Sequence, residues 1–271
     1  SPSSSFINDF FNYKSWHKKY DGKKAKIITA IAMFYDLDDP NGFVSSVAKC
    51  LDEKGVFVIQ MSYLPLMLEQ NAFDNICHEH IEYYSLESLN NLLKRHNLEA
   101  FDVELNDVNG GSFRIYIQHK GYRKISDRVR KMEKKEKRLK LSSKKTYKSF
   151  INRILALKKK LYNFIKSENK KGKKVYAYGA STKGSVLLQF FNLDNKMIKA
   201  VADRNPDKWG KKMIGTSITI ISEEQARKEK PDYFLILPWH FLKEFVQREK
   251  KYLKSGGKFI VPLPKFKIIG K

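Results

Sequence analysis

Two short apolar runs, residues 26–32 (KIITAIA) and 56–61 (VFVIQM), bracket a segment of helical character, and this order restricts the fold more than any other feature. β-Branched runs of this length suit buried strands. Strands joined through a helix lie parallel, so the segment reads as a βαβ unit. Asp39 is placed to cap the intervening helix with Pro40 at its first position, and the helix runs to about Leu51 before a Glu-Lys-Gly turn. The alternation returns later, with strands at 175–178, 198–202, 233–237 and 258–261 and helices at 185–191 and 241–253. That is a second, doubly wound α/β unit.

Between the two units the pattern changes. Ser85 opens an amphipathic helix with Leu86, Leu89, Leu92 and Leu93 on one face, although Ser88 stands where a capping box would carry Glu or Gln. Residues 101–105 and 113–119 form two strands, and the Asn109-Gly110 pair between them points to a hairpin. Residues 124–170 are rich in Lys, Arg and Glu, with an apolar stripe that tightens after Phe150, and read as linking helices. The expected organisation is residues 1–122, then a helical linker over 123–172, then 173–271.

The chain of 271 residues carries 53 Lys+Arg against 29 Asp+Glu, a formal charge of +24. A Lys-rich solvated surface, a phosphorylated small ligand and nucleic acid would each account for that excess. Nucleic acid comes last, because no Arg-rich or aromatic-interleaved patch stands out. With only Cys50 and Cys77, the chain has neither a disulfide framework nor a four-Cys zinc site, and the expected compartment is the reducing cytoplasm. No apolar run approaches the roughly 20 residues of a membrane span, so no membrane partner is expected. The first residue is Ser rather than Met, as expected of a piece of a longer protein; oligomeric state is not readable.

Three constellations carry chemistry. In Cys77-His78-Glu79-His80 two imidazoles flank a carboxylate, in a chain with six His. Such groups move protons near neutral pH. The i, i+2 spacing splays the rings apart, whereas H-E-x-x-H needs i, i+4 on a helix, so no metal is expected; a structural histidine pair stays open. Residues 179–184 (GASTKG) follow a strand and open a helix, where backbone N–H groups favour an anion, although neither a dinucleotide fingerprint nor a Walker loop is present. Pro238-Trp239-His240 follows another strand, where Trp239 could stack a base and His240 donate a hydrogen bond, or Trp239 could simply pack under the next helix.

The stretches AIAMFYDLDDP (30–40), QMSYLP (60–65), NAFDNICHEHIEYYSL (71–86), ELNDVNGGSFRIYI (104–117), YGASTKG (178–184), RNPDKWG (204–210) and PDYFLILPWHF (231–241) resemble the sugar C-methyltransferases. These enzymes methylate a carbon of nucleotide-linked 4-keto deoxysugars. The resemblance implies a partial class I methyltransferase sheet, parallel strands ending in an antiparallel hairpin, followed by a Rossmann-like doubly wound C-terminal domain. It implies S-adenosylmethionine as cofactor and a nucleotide-linked keto sugar as substrate. His80 would be the general base, Glu79 its positioning neighbour, and His78, Tyr63 and Asn109 further contacts. Ala32, Met33, Gln60 and Met61 would line the cofactor pocket. Ser181, Lys183, Arg204, Trp239 and His240 would hold the nucleotide sugar. The family's N-terminal four-Cys zinc module, its glycine-rich cofactor loop and an N-terminal catalytic Tyr are absent from these residues, so zinc is expected only upstream and the isolated piece is expected to bind cofactor weakly. A non-catalytic nucleotide-sugar-binding relative is the alternative reading.

Overall fold

The structure, a computed structural model, describes residues 5–270, the side chain of Asn109 excepted. In chain order the helices are α1 (Tyr13–Tyr20), α2 (Pro40–Cys50), α3 (Leu64–Glu69), α4 (Leu86–Lys94), α5 (Asp127–Leu139), α6 (Lys144–Lys170), α7 (Thr182–Phe190), α8 (Glu223–Lys228), α9 (Leu242–Arg248) and α10 (Lys250–Lys254). The strands are β1 (Ala25–Ile31), β2 (Leu51–Ser62), β3 (Leu98–Asn106), β4 (Ser112–His119), β5 (Val175–Tyr178), β6 (Val201–Asp203), β7 (Ile220–Ser222), β8 (Tyr233–Ile236), β9 (Lys258–Val261) and β10 (Lys267–Ile269). Two compact units emerge. One comprises residues 1–66 and 79–142, the other 67–78 and 143–271.

The first unit is built on a four-stranded sheet in the order β1-β2-β4-β3. β1 and β2 are parallel, and β4 runs antiparallel to both β2 and β3. The βαβ reading and the closing hairpin are both present. Asp39 caps α2, its Oδ1 accepting the Gly42 N–H at 2.8 Å. The expected Glu-Lys-Gly turn is instead part of β2. That strand starts at Leu51, opposite Ala25, and the register breaks before Ile27 meets Val56, so the surplus residues are taken up as an irregularity within the ladder. The hairpin connection is a 3₁₀ turn over Val108–Gly110 rather than a tight Asn-Gly turn. Ser88 does close a capping box on α4: its hydroxyl accepts the Ser85 N–H at 3.0 Å while Ser85 Oγ accepts the Ser88 N–H at 3.1 Å. A serine therefore does what Glu or Gln was expected to do. The core gathers Ile28, Phe57, Ile59, Phe113, Ile115 and the four α4 leucines, and α5 adds Val129 and Met132.

The second unit carries a six-stranded sheet in the order β10-β9-β8-β5-β6-β7, parallel except for β10. β5 stands between β6 and β8, so the order in which strands are added reverses beside it, and the carboxyl ends of these strands form the crevice where open α/β sheets collect ligands. The mixed α/β fold with parallel strands is as expected. The expected single helix over 241–253 is a 3₁₀ turn (Trp239–Phe241) followed by α9 and α10, separated at Glu249. That carboxylate is 3% exposed and turns inward to the Tyr178 hydroxyl. The helical segment 123–172 does not stand apart as a linker, because α5 falls in the first unit and α6 in the second. Among the described residues no helix is long and apolar enough to cross a membrane.

Candidate active site

In the first unit, β1 ends at Ile31 and the chain turns at Ala32, which takes φ 54° and donates its N–H to Gln60 O at 2.8 Å. A 3₁₀ turn, Phe34–Asp36, follows, with Phe34 fully buried as its anchor. The carbonyl of Tyr35 accepts the N–H groups of both Ile81 and Glu82 at 3.1 Å. His80 is thereby carried to the carboxyl end of the parallel strands, its ring against that of Tyr35 with centroids 4.5 Å apart and planes at 64°. The Tyr83 hydroxyl donates to the His80 carbonyl at 3.3 Å. Asp36 shares the site. Desolvation raises its carboxyl above the usual range, His80 opposes the rise and Glu79 adds to it. An imidazole with carboxylates in its neighbourhood at a strand end can accept a proton and have the resulting charge stabilised.

The expected pocket residues divide. Ala32 is exposed at the end of β1 and Met33 is half-buried against the core. Gln60 and Met61 are closed off, because β2 continues to Ser62 and pairs them with Arg114 and Phe113 of β4. Gln60 Oε1 accepts two N–H groups of Arg114, at 2.9 and 2.6 Å, and Met61 is 2% exposed. Tyr63 is likewise interior, fully buried with its hydroxyl donating to Glu136 Oε1 at 2.7 Å. Its phenol is pushed far above its ordinary range by desolvation and then by that carboxylate. All three are buried, and Tyr63 lies in the wall of a cleft of about 540 Å³ with Glu104, Arg128 and Lys135. The side chain of Asn109 lies outside the described residues.

In the second unit, Gly179 follows β5 with φ 91°, and a Cβ there would stand 2.7 Å from Pro238. Ser181 caps α7, its Oγ accepting the Gly184 N–H at 3.1 Å. A cleft of about 420 Å³ opens beside this loop, lined among others by His78, Ser181, Thr182, Ser185, Lys208 and Lys211. Hydroxyls at a helix N-terminus in a cleft lined by three lysines, Lys208, Lys211 and Lys212, are suited to an anion. A second cleft of about 310 Å³ lies at the ends of β5 and β6 and includes Arg204. Asp203 is already engaged there, accepting the N–H groups of Ala180 at 2.6 Å and Asn205 at 2.9 Å.

Lys183, Trp239 and His240 are not part of either cleft wall. Trp239 is 5% exposed and its indole N–H donates to Asp74 Oδ2 at 3.0 Å, so no face is open for stacking a base. Burial lowers the Lys183 ammonium below its usual range, with Asp74 and Cys77 opposing. Burial pushes the His240 imidazole down to about 4, and Lys183 adds to the shift. A unit boundary falls between the two histidines. His78 belongs to the second unit and His80 to the first. Sequence reasoning missed Tyr35, Asp36 and Asp74, and in the RNPDKWG stretch and its continuation it singled out Arg204 when Lys208 and Lys211 face the larger cleft. Among the described residues no cluster of three or more His, Cys, Asp or Glu could hold a metal ion.

The family profile described as the C-methyltransferase C-terminal domain matches residues 107–264, more than half of the chain. The chain belongs to the C-methyltransferase family. A methyltransferase-domain profile matches residues 5–103 of this C-methyltransferase chain. The C-methyltransferase NovU of Streptomyces niveus is 33% identical over 246 residues, which are 90% of this chain and 59% of NovU. The chain thus spans about three fifths of the length of that curated relative. Among solved structures, LepI in complex with S-adenosylmethionine aligns at 10% identity and a TM-score of 0.32, over 36% of this chain and 27% of LepI. The mitomycin 7-O-methyltransferase MmcR aligns at 13% identity and a TM-score of 0.31, over 36% and 30%.

Proposed function

We propose that the whole protein, in the cytoplasm, transfers a methyl group from S-adenosylmethionine to a carbon beside the keto group of a nucleotide-linked 4-keto deoxysugar, with His80 as the base. The observation that carries this reading is the seating of His80 on Tyr35 at the strand ends, with Asp36 and Glu79 beside it. A C–H next to a ketone is acidified because its carbanion delocalises into an enolate. His80 accepts that proton, and the carboxylates of Glu79 and Asp36 offset the imidazolium charge. Proton transfer to a positioned base contributes about 10²–10⁴-fold, so holding the reacting atoms together supplies much of the remainder.

The residues present suit part of a cofactor site. S-Adenosylmethionine would supply an electrophilic methyl on a cationic sulfonium. Ala32 and Met33 are the residues that would flank it, and the two carboxylates favour the positive charge. On the substrate side, Lys208 and Lys211 neutralise a diphosphate while Ser181 and Thr182 hydrogen-bond it, with Arg204 a further contact. NovU, a C-methyltransferase by name, supports the transferred group.

The experiment is labelled-methyl transfer by the full-length protein. His80→Ala should lower turnover by about 10²–10⁴-fold while calorimetric binding of a nucleoside diphosphate stays within about threefold, a change too small to involve a lost charge contact. Undiminished transfer would remove His80 from the chemistry. Nucleotide-sugar binding with no transfer by the wild type would favour a non-catalytic relative.

A further inference from the structure

Residues 67–78 are flanked on both sides by chain of the first unit, yet they belong to the second. The second unit grips this short segment from several directions. Asn71 donates to Pro264 O at 3.0 Å and accepts from Arg153 Nε at 2.9 Å, and Arg153 Nη2 also donates to Leu68 O at 2.6 Å. Phe73 packs against Phe190 and Phe191, centroids 4.7 and 5.3 Å away. Asp74, fully buried, accepts the indole N–H of Trp239; burial raises its carboxyl above the usual range, with Lys183 and that hydrogen bond opposing the rise.

A carboxyl group in the interior is costly, and the Oδ1 atom of Asp74 has no hydrogen-bond partner among the described residues. Apolar packing by Phe73 alone would bury this segment at lower cost. What a directional hydrogen bond adds is register: one backbone position is fixed against Trp239. The residues that follow need that register. Cys77 and His78 line the larger cleft, and Glu79 and His80 come next in the chain.

We infer that Asp74, with Trp239 and Lys183, is a positioning residue: a polar latch that sets the backbone from which the His78-Glu79-His80 segment departs. Its role in turnover rests on the reading of His80 as the base. Its existence does not, because Cys77 reports on the same segment.

Cys77 is half-buried and Cys50 fully buried, so thiol reactivity separates the two sites. In the full-length protein, Asp74→Leu keeps roughly the side-chain volume and removes the acceptor. Its loss should raise the rate at which a disulfide reagent modifies Cys77 by about tenfold or more, because local opening is easier once the buried indole N–H has lost its partner. Trp239→Phe, which removes the donor and keeps a ring, should do the same, and Cys50 should stay unreactive in both. Turnover should fall by about 10–100-fold with KM for the nucleotide sugar little changed, as a displaced catalytic group predicts. Unchanged Cys77 reactivity in both folded variants overturns the latch. Faster Cys77 modification with undiminished turnover overturns its positioning role. If the wild type transfers no methyl, the proposed function fails while the thiol measurement still decides the latch.

Discussion

Glu136 shows how one side chain can organise a region. It sits on α5, 2% exposed, and its Oε1 accepts both the Tyr63 hydroxyl and the Leu86 N–H at 2.7 Å, while Oε2 accepts the Glu87 N–H at 2.9 Å. The N–H groups at a helix start have no intrahelical partner, and a carboxylate there also meets the positive end of the helix dipole. Glu136→Ala would leave three donors unanswered and should cost about 3–5 kcal/mol in denaturant unfolding. Tyr63→Phe removes one donor along with its own need for a partner, and should cost only about 1 kcal/mol. A Glu136→Ala variant within about 1 kcal/mol of wild type, the worth of one ordinary hydrogen bond, would show that water or a rearranged α4 answers those donors instead.

At the scale of elements, the β5–α7 connection is a backbone device. Gly179→Ala would place a Cβ against the Pro238 ring in a left-handed conformation, so the loop must shift. The variant should lose about 2 kcal/mol or more of stability and bind a nucleoside diphosphate more weakly, both readable by calorimetry; normal affinity would detach the loop from the ligand. This connection, like both βαβ units and the hairpin, was legible in the sequence because β-branched apolar runs and glycine punctuation act locally. β7 and β10 were not. Each is three residues long, and its identity comes from the neighbour it pairs with: Ile221 opposite Ala202, Ile268 opposite Ile260. The candidate site was legible in the same uneven way. His80 and Glu79 stand out as titratable groups, but Tyr35 and Asp36 join them only through the turn after β1. Asp74 looks like an ordinary loop acid in NAFDNICHEH until Trp239 closes over it. That Gln60 and Met61 pair with Arg114 and Phe113 was not legible, because the length of β2 depends on β4, a contact far along the chain.

Across the whole molecule the dominant fact is charge. Each unit has its own buried cluster, one around Phe57, Phe113 and the α4 leucines, the other around Tyr178, Phe234 and Phe259. Burial therefore opposes a net charge of +24 that repels itself in the compact state. The exposed pairs that do form, such as Lys228 with Glu224 at 2.8 Å, contribute little. Raising ionic strength from about 0.01 to 0.1 M shortens the screening length from roughly 30 to 10 Å, which weakens the long-range repulsion more than short contacts. The unfolding temperature should therefore rise with salt over that range. Affinity for a nucleoside diphosphate at Lys208 and Lys211 should fall over the same range, because the attraction is screened as well. The two slopes have opposite signs, and the pair is the test. An unfolding temperature that falls with salt would mean that local ion pairs, rather than the excess of lysine, govern the electrostatic part of stability.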